Sequence, residues 1–117
     1  MHIVERTVGE VVIVDVSGKV TLGDGGDVVL KDKIHSLMQQ GRKKVLLNLS
    51  DVSYVDSAGL GEMVQSYATV MKNGGQLKLL NVTRRIHDLL SITKLLTVFE
   101  CHDSETEAVA SFAGVKA

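Results

Sequence analysis

Residues 45–80 read VLLNLSDVSYVDSAGLGEMVQSYATVMKNGGQLKLL, and the hydrophobic rhythm changes twice along them. Val45-Leu46-Leu47-Asn48-Leu49 is a short, nearly continuous apolar run, the pattern of a strand with both faces covered. A polar turn follows, and Tyr54 and Val55 lead into Asp56-Ser57-Ala58-Gly59, where a helix begins. Leu60, Val64, Tyr67 and Met71 recur at helical spacing as its inward stripe, with Met63 and Val70 beside it. Asn73-Gly74-Gly75 stops the helix after about Lys72, because glycine takes up the left-handed conformation that ends helices. Gln76 to Leu80 is the next strand. Strand, helix and strand in this order make a β-α-β unit with parallel strands.

The flanks extend the same scheme. Residues 3–7 and 11–17 are short and rich in β-branched side chains, and Val8-Gly9-Glu10 joins them as a hairpin. A loop rich in Gly and Asp spans 21–26. Asp27 is placed to cap a helix running to about Gln40, with Leu30, Ile34, Leu37 and Met38 as its apolar stripe and Gly41 as its stop. Beyond Leu80, Asn81 or Thr83 caps a helix carrying Ile86, Leu89 and Leu90. A short strand lies within Leu95 to Phe99, and Ser104 to Phe112 closes the chain as a helix. The order β-β-α-β-α-β-α-β-α predicts an α/β fold: a mostly parallel sheet with right-handed crossovers, an N-terminal antiparallel edge strand and about four helices. Periodicity leaves open whether the helices cover one face of the sheet or both.

The 117 residues suit a single domain spanning 1–117. Aromatics are only 3% of a chain that is 44% hydrophobic, so the core is aliphatic. Thirteen Lys and Arg against 14 Asp and Glu leave a net charge of −1, which gives no reason to expect nucleic acid or an anionic membrane as partner. No apolar run approaches the ~20 residues of a membrane span, and the N-terminus lacks an export pattern. With one Cys there is no internal disulfide, and a cytoplasmic, monomeric protein is the expectation.

Ser57 falls at the start of a helix, where the first backbone N–H groups have no intrahelical partner. An oxyanion there, phosphate included, would meet several donors and the positive end of the helix dipole. Two roles suit Ser57: an N-cap, worth about 0.5–2 kcal/mol, or a hydroxyl presented for modification. Asp56 has three: capping the helix, orienting the Ser57 hydroxyl, or contacting a partner. Gly59 and Gly61 keep bulk away from the helix start, so that another protein surface can approach. The tempting chemistries fail on what is missing around these residues. A phospho-accepting Asp56 would need an early acidic cluster for Mg²⁺ and a late strand-end Lys, and only Asp15 appears in the first central strand. No general base or nucleophile-elbow pattern accompanies Ser57, so no catalytic residue is assigned. Gly23-Asp24-Gly25-Gly26 lacks the Lys-Ser/Thr ending of a phosphate-binding loop and reads as a mobile turn. His2, His35, His87 and His102 have no metal-ligand spacing, and no metal or cofactor is expected. Cys101 reads as a small apolar filler.

Leu46-Leu47-Asn48-Leu49-Ser50, Val55-Asp56-Ser57-Ala58-Gly59-Leu60, Leu79-Leu80-Asn81-Val82 and the run Leu89 to Phe99 together resemble the STAS family of bacterial anti-sigma factor antagonists, over essentially the whole domain. The resemblance implies a STAS-like fold and a protein-binding switch instead of an enzyme. In such proteins the serine matching Ser57 is phosphorylated by an anti-sigma factor that is itself an ATP-dependent serine kinase. The unphosphorylated form binds that kinase and releases a sigma factor; phosphorylation breaks the association, and a serine phosphatase restores it. The implied partner-binding residues are Asp24, Asp56, Ser57, Ala58, Gly59 and Leu60. Asp24 is matched to the acidic residue of the family's loop before the first helix, with Asp27 close enough to compete. The resemblance also leaves a second role, an accessory subunit of a membrane (lipid) transport complex built on the same soluble fold.

Overall fold

In the computed structural model, which describes residues 1–113, the elements are β1 (His2–Val8), β2 (Val11–Val20), α1 (Gly26–Gln39), β3 (Lys44–Val55), α2 (Ser57–Lys72), β4 (Gln76–Leu80), α3 (Arg84–Ile92), β5 (Cys101–His102) and α4 (Glu105–Ala113). The five strands form one sheet in the order β1-β2-β3-β4-β5. β1 pairs antiparallel with β2, and every other pair is parallel. Each parallel step therefore moves the same way across the sheet. Right-handed crossovers must then place α1, α2 and α3 on one face. The burial follows: Val12, Val14, Val16, Val45, Leu47, Leu49, Leu77 and Leu79 face Leu30, Ile34, Leu37, Met63, Val70, Ile86 and Leu90. α4 covers the opposite face with Ala108 and Phe112 on Val11, Ile13, Leu46 and Leu80. Helices on both faces, three against one, answer what periodicity leaves open.

The structure corrects several local expectations. The polar stretch after Leu49 is not a turn; β3 continues through it to Val55, pairing Ser17 with Asp51, Lys19 with Tyr54 and Val20 with Val55. Beyond Asn48 the strand has passed the end of β4, so it has one neighbouring strand instead of two and tolerates exposed Ser50, Asp51 and Ser53. The last strand is not within 95–99 but at Cys101–His102. Residues 95–98 turn instead, with the Val98 N–H donating to the Leu95 carbonyl at 3.0 Å, and their apolar side chains pack against the core without strand geometry. α1 has no Asp27 cap: it starts after Gly25, which takes φ 68°. The buried face of α2 is Gly59, Leu60, Met63, Ser66 and Val70. Val64 and Tyr67 are only half-buried and Met71 is 48% exposed, so the expected stripe is turned partly outward. Thr83 caps α3, its hydroxyl accepting from the Ile86 N–H, whereas Asn81 adopts φ 55° and donates to the Asn48 side chain. Cys101 is exposed and is no core filler.

Candidate functional site

The C-terminal ends of β2 and β3 converge on the N-terminus of α2. Asp56 leaves β3 in an extended conformation (φ −95°, ψ −176°) and caps α2, its Oδ1 accepting from the Gly59 N–H at 2.8 Å. Its other oxygen, Oδ2, accepts from the Leu22 N–H at 3.0 Å, across 34 residues of chain. The Asp56 N–H in turn donates to the Val20 carbonyl at 3.4 Å. These donations, Gly59 first and Leu22 second, hold the Asp56 carboxyl below the usual carboxylate range, so it stays ionised at neutral pH.

Ser57, the first residue of α2, is exposed, and among the described residues its hydroxyl makes no hydrogen bond. Of the roles the sequence left open, capping therefore belongs to Asp56 and the Ser57 hydroxyl is free. Asp56 also uses one of the helix-start donors that an oxyanion is expected to meet, the Gly59 N–H. Its carboxylate neither bonds to the Ser57 hydroxyl nor leaves the Gly59 N–H available.

Gly59 sits directly under this turn. A Cβ there would lie 1.9 Å from the Val20 carbonyl oxygen, so only glycine lets α2 approach the end of β2 this closely. Leu60 is 8% exposed and points into the core. Of the six residues implied as partner-binding, Asp24 and Ser57 are exposed, Asp56 and Ala58 half-buried, and Gly59 and Leu60 buried beneath them. Gly61 faces open space.

The loop between β2 and α1, which reads as a mobile turn in the sequence, carries hydrogen bonds within itself. The Thr21 hydroxyl donates to Asp24 Oδ2 at 2.8 Å and accepts from the Asp24 N–H at 3.2 Å. The Gly25 N–H donates to the Leu22 carbonyl at 3.1 Å, and the Gly26 N–H to the Thr21 carbonyl at 2.9 Å. Asp24 is thus an exposed carboxylate fixed at one oxygen. Its competitor Asp27 lies in the first turn of α1, with one carboxylate oxygen buried and without a hydrogen bond among the described residues. Across the α1–α2 seam, burial pushes the Glu62 carboxyl up, against a hydrogen bond from Ser66. The sequence reading missed Thr21 and Leu22; the spacing Thr21-x-x-Asp24, typical of a side-chain-closed turn, was the available signal.

A family model for the STAS domain matches residues 2–108. The anti-sigma-B factor antagonist of Bacillus subtilis (strain 168) is 42% identical over 72 residues, which are 62% of this chain and 65% of that protein, just under two thirds of its length. The anti-sigma F factor antagonist of Paenibacillus polymyxa is 25% identical over 99 residues, 85% of this chain and 84% of that one. Among solved structures, a Thermotoga maritima protein superposes with a TM-score of 0.86 over 95% of this chain and 94% of its own, at 24% identity. Because that family model spans nearly the whole chain, the chain belongs to the STAS domain family, and the two curated relatives just named are anti-sigma factor antagonists.

Proposed function

We propose that this chain is itself an anti-sigma factor antagonist. Its unphosphorylated form binds an anti-sigma factor that is a serine kinase and so frees a sigma factor; phosphorylation of Ser57 ends that association, and a serine phosphatase reverses it. The protein is then a ligand and substrate of enzymes, acting as a cytoplasmic, monomeric single domain over 1–117 with no cofactor of its own. The observation that carries this reading is the Ser57 hydroxyl, exposed and unbonded at the start of α2 while the neighbouring Asp56 does the capping. A serine needed for the helix would be held by it; this one is held out to solvent.

The same geometry supports a way for a phosphate on Ser57 to act. It would add about −1.5 to −2 charges beside an ionised Asp56 that already uses the Gly59 donor. The like charge of Asp56 works against docking of the phosphoryl group on its own helix, and the group projects toward the partner, where it repels or clashes. Asp24, Asp56, Ser57 and Ala58 form the contact surface, with Gly59 and Leu60 setting its height from beneath. In support, SpoIIAA of Bacillus is known in a phosphorylated form, and its phosphorylated and unphosphorylated structures both superpose on this chain at a TM-score of 0.73, so that protein keeps the fold in either state.

The test is incubation with ATP and extract of the native cell, followed by intact-mass analysis and phosphosite mapping. Phosphate on Ser57 is expected; modification elsewhere with Ser57 untouched overturns the proposal. Calorimetry with the captured kinase should show Ser57→Asp weakened and Ser57→Ala binding like the unmodified protein, yet resistant to being switched off.

A further inference from the structure

We infer that Leu22 is the apolar anchor by which the kinase engages this chain, seating in an apolar socket beside the kinase's phosphotransfer site. The inference rests on the reading of Ser57 as the modified residue and adds to it the determinant of recognition. Leu22 is 67% exposed between buried Val20 and Thr21 on one side and a glycine-rich turn on the other. A lone exposed leucine is ordinary on a protein surface; the backbone beneath this one is what distinguishes it. Its N–H is held by Asp56 Oδ2 and its carbonyl by the Gly25 N–H, and the Thr21–Asp24 pair closes the same turn.

An apolar side chain on a fixed backbone loses little conformational freedom when a partner buries it, so most of the burial appears as affinity. The carboxylate that binds the Leu22 N–H is the one that caps α2 next to Ser57, so anchor and hydroxyl are presented in one hydrogen-bonded frame. The loop runs directly into α1, where Val28 and Val29 are also exposed and can widen the apolar contact. A kinase that grips Leu22 has Ser57 set at a fixed offset, which selects this serine over the other exposed serines, such as Ser50, Ser53 and Ser91.

The experiment measures the initial rate of Ser57 phosphorylation in native-cell extract with ATP as a function of substrate concentration. It compares wild type, Leu22→Ala, Leu22→Met and Ile92→Ala. Ile92 is the control: it is 79% exposed, at the end of α3 remote from the α2 N-terminus. Removal of a buried leucine contact should raise KM about tenfold or more, with kcat little changed, while Leu22→Met and Ile92→Ala stay close to wild type. Circular dichroism melts should coincide for all four, since an exposed side chain supports little of the fold. Equal KM for Leu22→Ala and wild type overturns the anchor and leaves the Ser57 reading standing. An equal loss in Ile92→Ala overturns it as well, because the effect would then be general apolar stickiness. No phosphate on wild-type Ser57 instead defeats the reading on which the inference rests.

Discussion

One carboxylate ties two parts of the chain together at the site: Asp56 accepts from Gly59 within α2 and from Leu22 in the preceding loop. Both bonds want an acceptor, but only the ionised group offers full strength at both oxygens. Asp56→Asn keeps one good acceptor and must turn a donor amide toward the other N–H. It should therefore release one end of the bridge, and Asp56→Ala both. The expected order of melting temperature is wild type, then Asn, then Ala, with Ser57→Ala unchanged from wild type because the Ser57 hydroxyl bonds to nothing among the described residues. Amide exchange should show where the loss falls: Leu22 and Gly59 lose protection together in Asp56→Ala. If Gly59 alone loosens, the loop is not held through Asp56.

At the scale of elements, two glycines two residues apart have opposite fates. Gly59 faces the Val20 carbonyl so closely that a methyl group forces α2 off the end of β2, and Gly59→Ala should destabilise by about 3 kcal/mol. Gly61 faces solvent with ordinary helical backbone, and Gly61→Ala should stabilise by about 0.5–1 kcal/mol through helix propensity alone. Urea melts of the pair would check both signs; a neutral Gly59→Ala would mean α2 slides without cost. The sequence made both glycines look like clearance for a partner, because a motif says nothing about which way a helix is turned. For the same reason the stripe of α2 was read with Met71 inside, although the wide face centred on Met63 and Val70 is the buried one. Element order and strand direction were legible, since Gly punctuation and changes of period are local signals. The end of β3 and the place of β5 were not. Ser50 to Ser53 look like a turn until β2 is known to extend far enough to pair with them, and Leu95 to Phe99 look like a strand until their packing is known. At the site, Asp56 and Ser57 could be found by motif, whereas the Leu22 bond spans 34 residues and leaves no periodic trace.

Across the whole molecule the two faces of the sheet are held by different physics. Three helices cover one face with a broad aliphatic core, while α4 holds the other with buried Ala108 and Phe112 and with charge. Arg6 on β1 bonds to Asp15 on β2 at 3.0 Å and to Glu105 on α4 at 2.9 Å, and Asn48 donates to the same Asp15 at 2.8 Å. Lys78, buried in β4, reaches Ser111 at 2.8 Å and Glu100 at 3.0 Å and lies 4.7 Å from the centre of the Phe112 ring. The Arg6 side chain holds the Asp15 carboxyl below its ordinary value, and His102 followed by Lys78 does the same for Glu100. The unfolded chain therefore takes up these protons at higher pH than the folded one. Their stabilisation is complete above the ordinary values of 3.8 and 4.5 and is lost as pH falls through the lowered ones. Glu62 behaves oppositely: burial raises its carboxyl, so the folded state binds the proton first on acidification and the cost of burying its charge is relieved. Lowering the pH from 7 through these lowered values removes the Asp15 charge that holds Arg6 in line with Glu105, and should accordingly loosen α4 while α1 and α2 remain docked. Hydrogen exchange followed by mass spectrometry should record lost protection over 105–112 before any loss over 60–70. Arg6→Ala, which frees Asp15 and Glu105 together, should bring the α4 opening to higher pH. Simultaneous loss of protection in α2 and α4 at every pH would mean that the two faces unfold as one unit and that charge on the α4 face decides nothing.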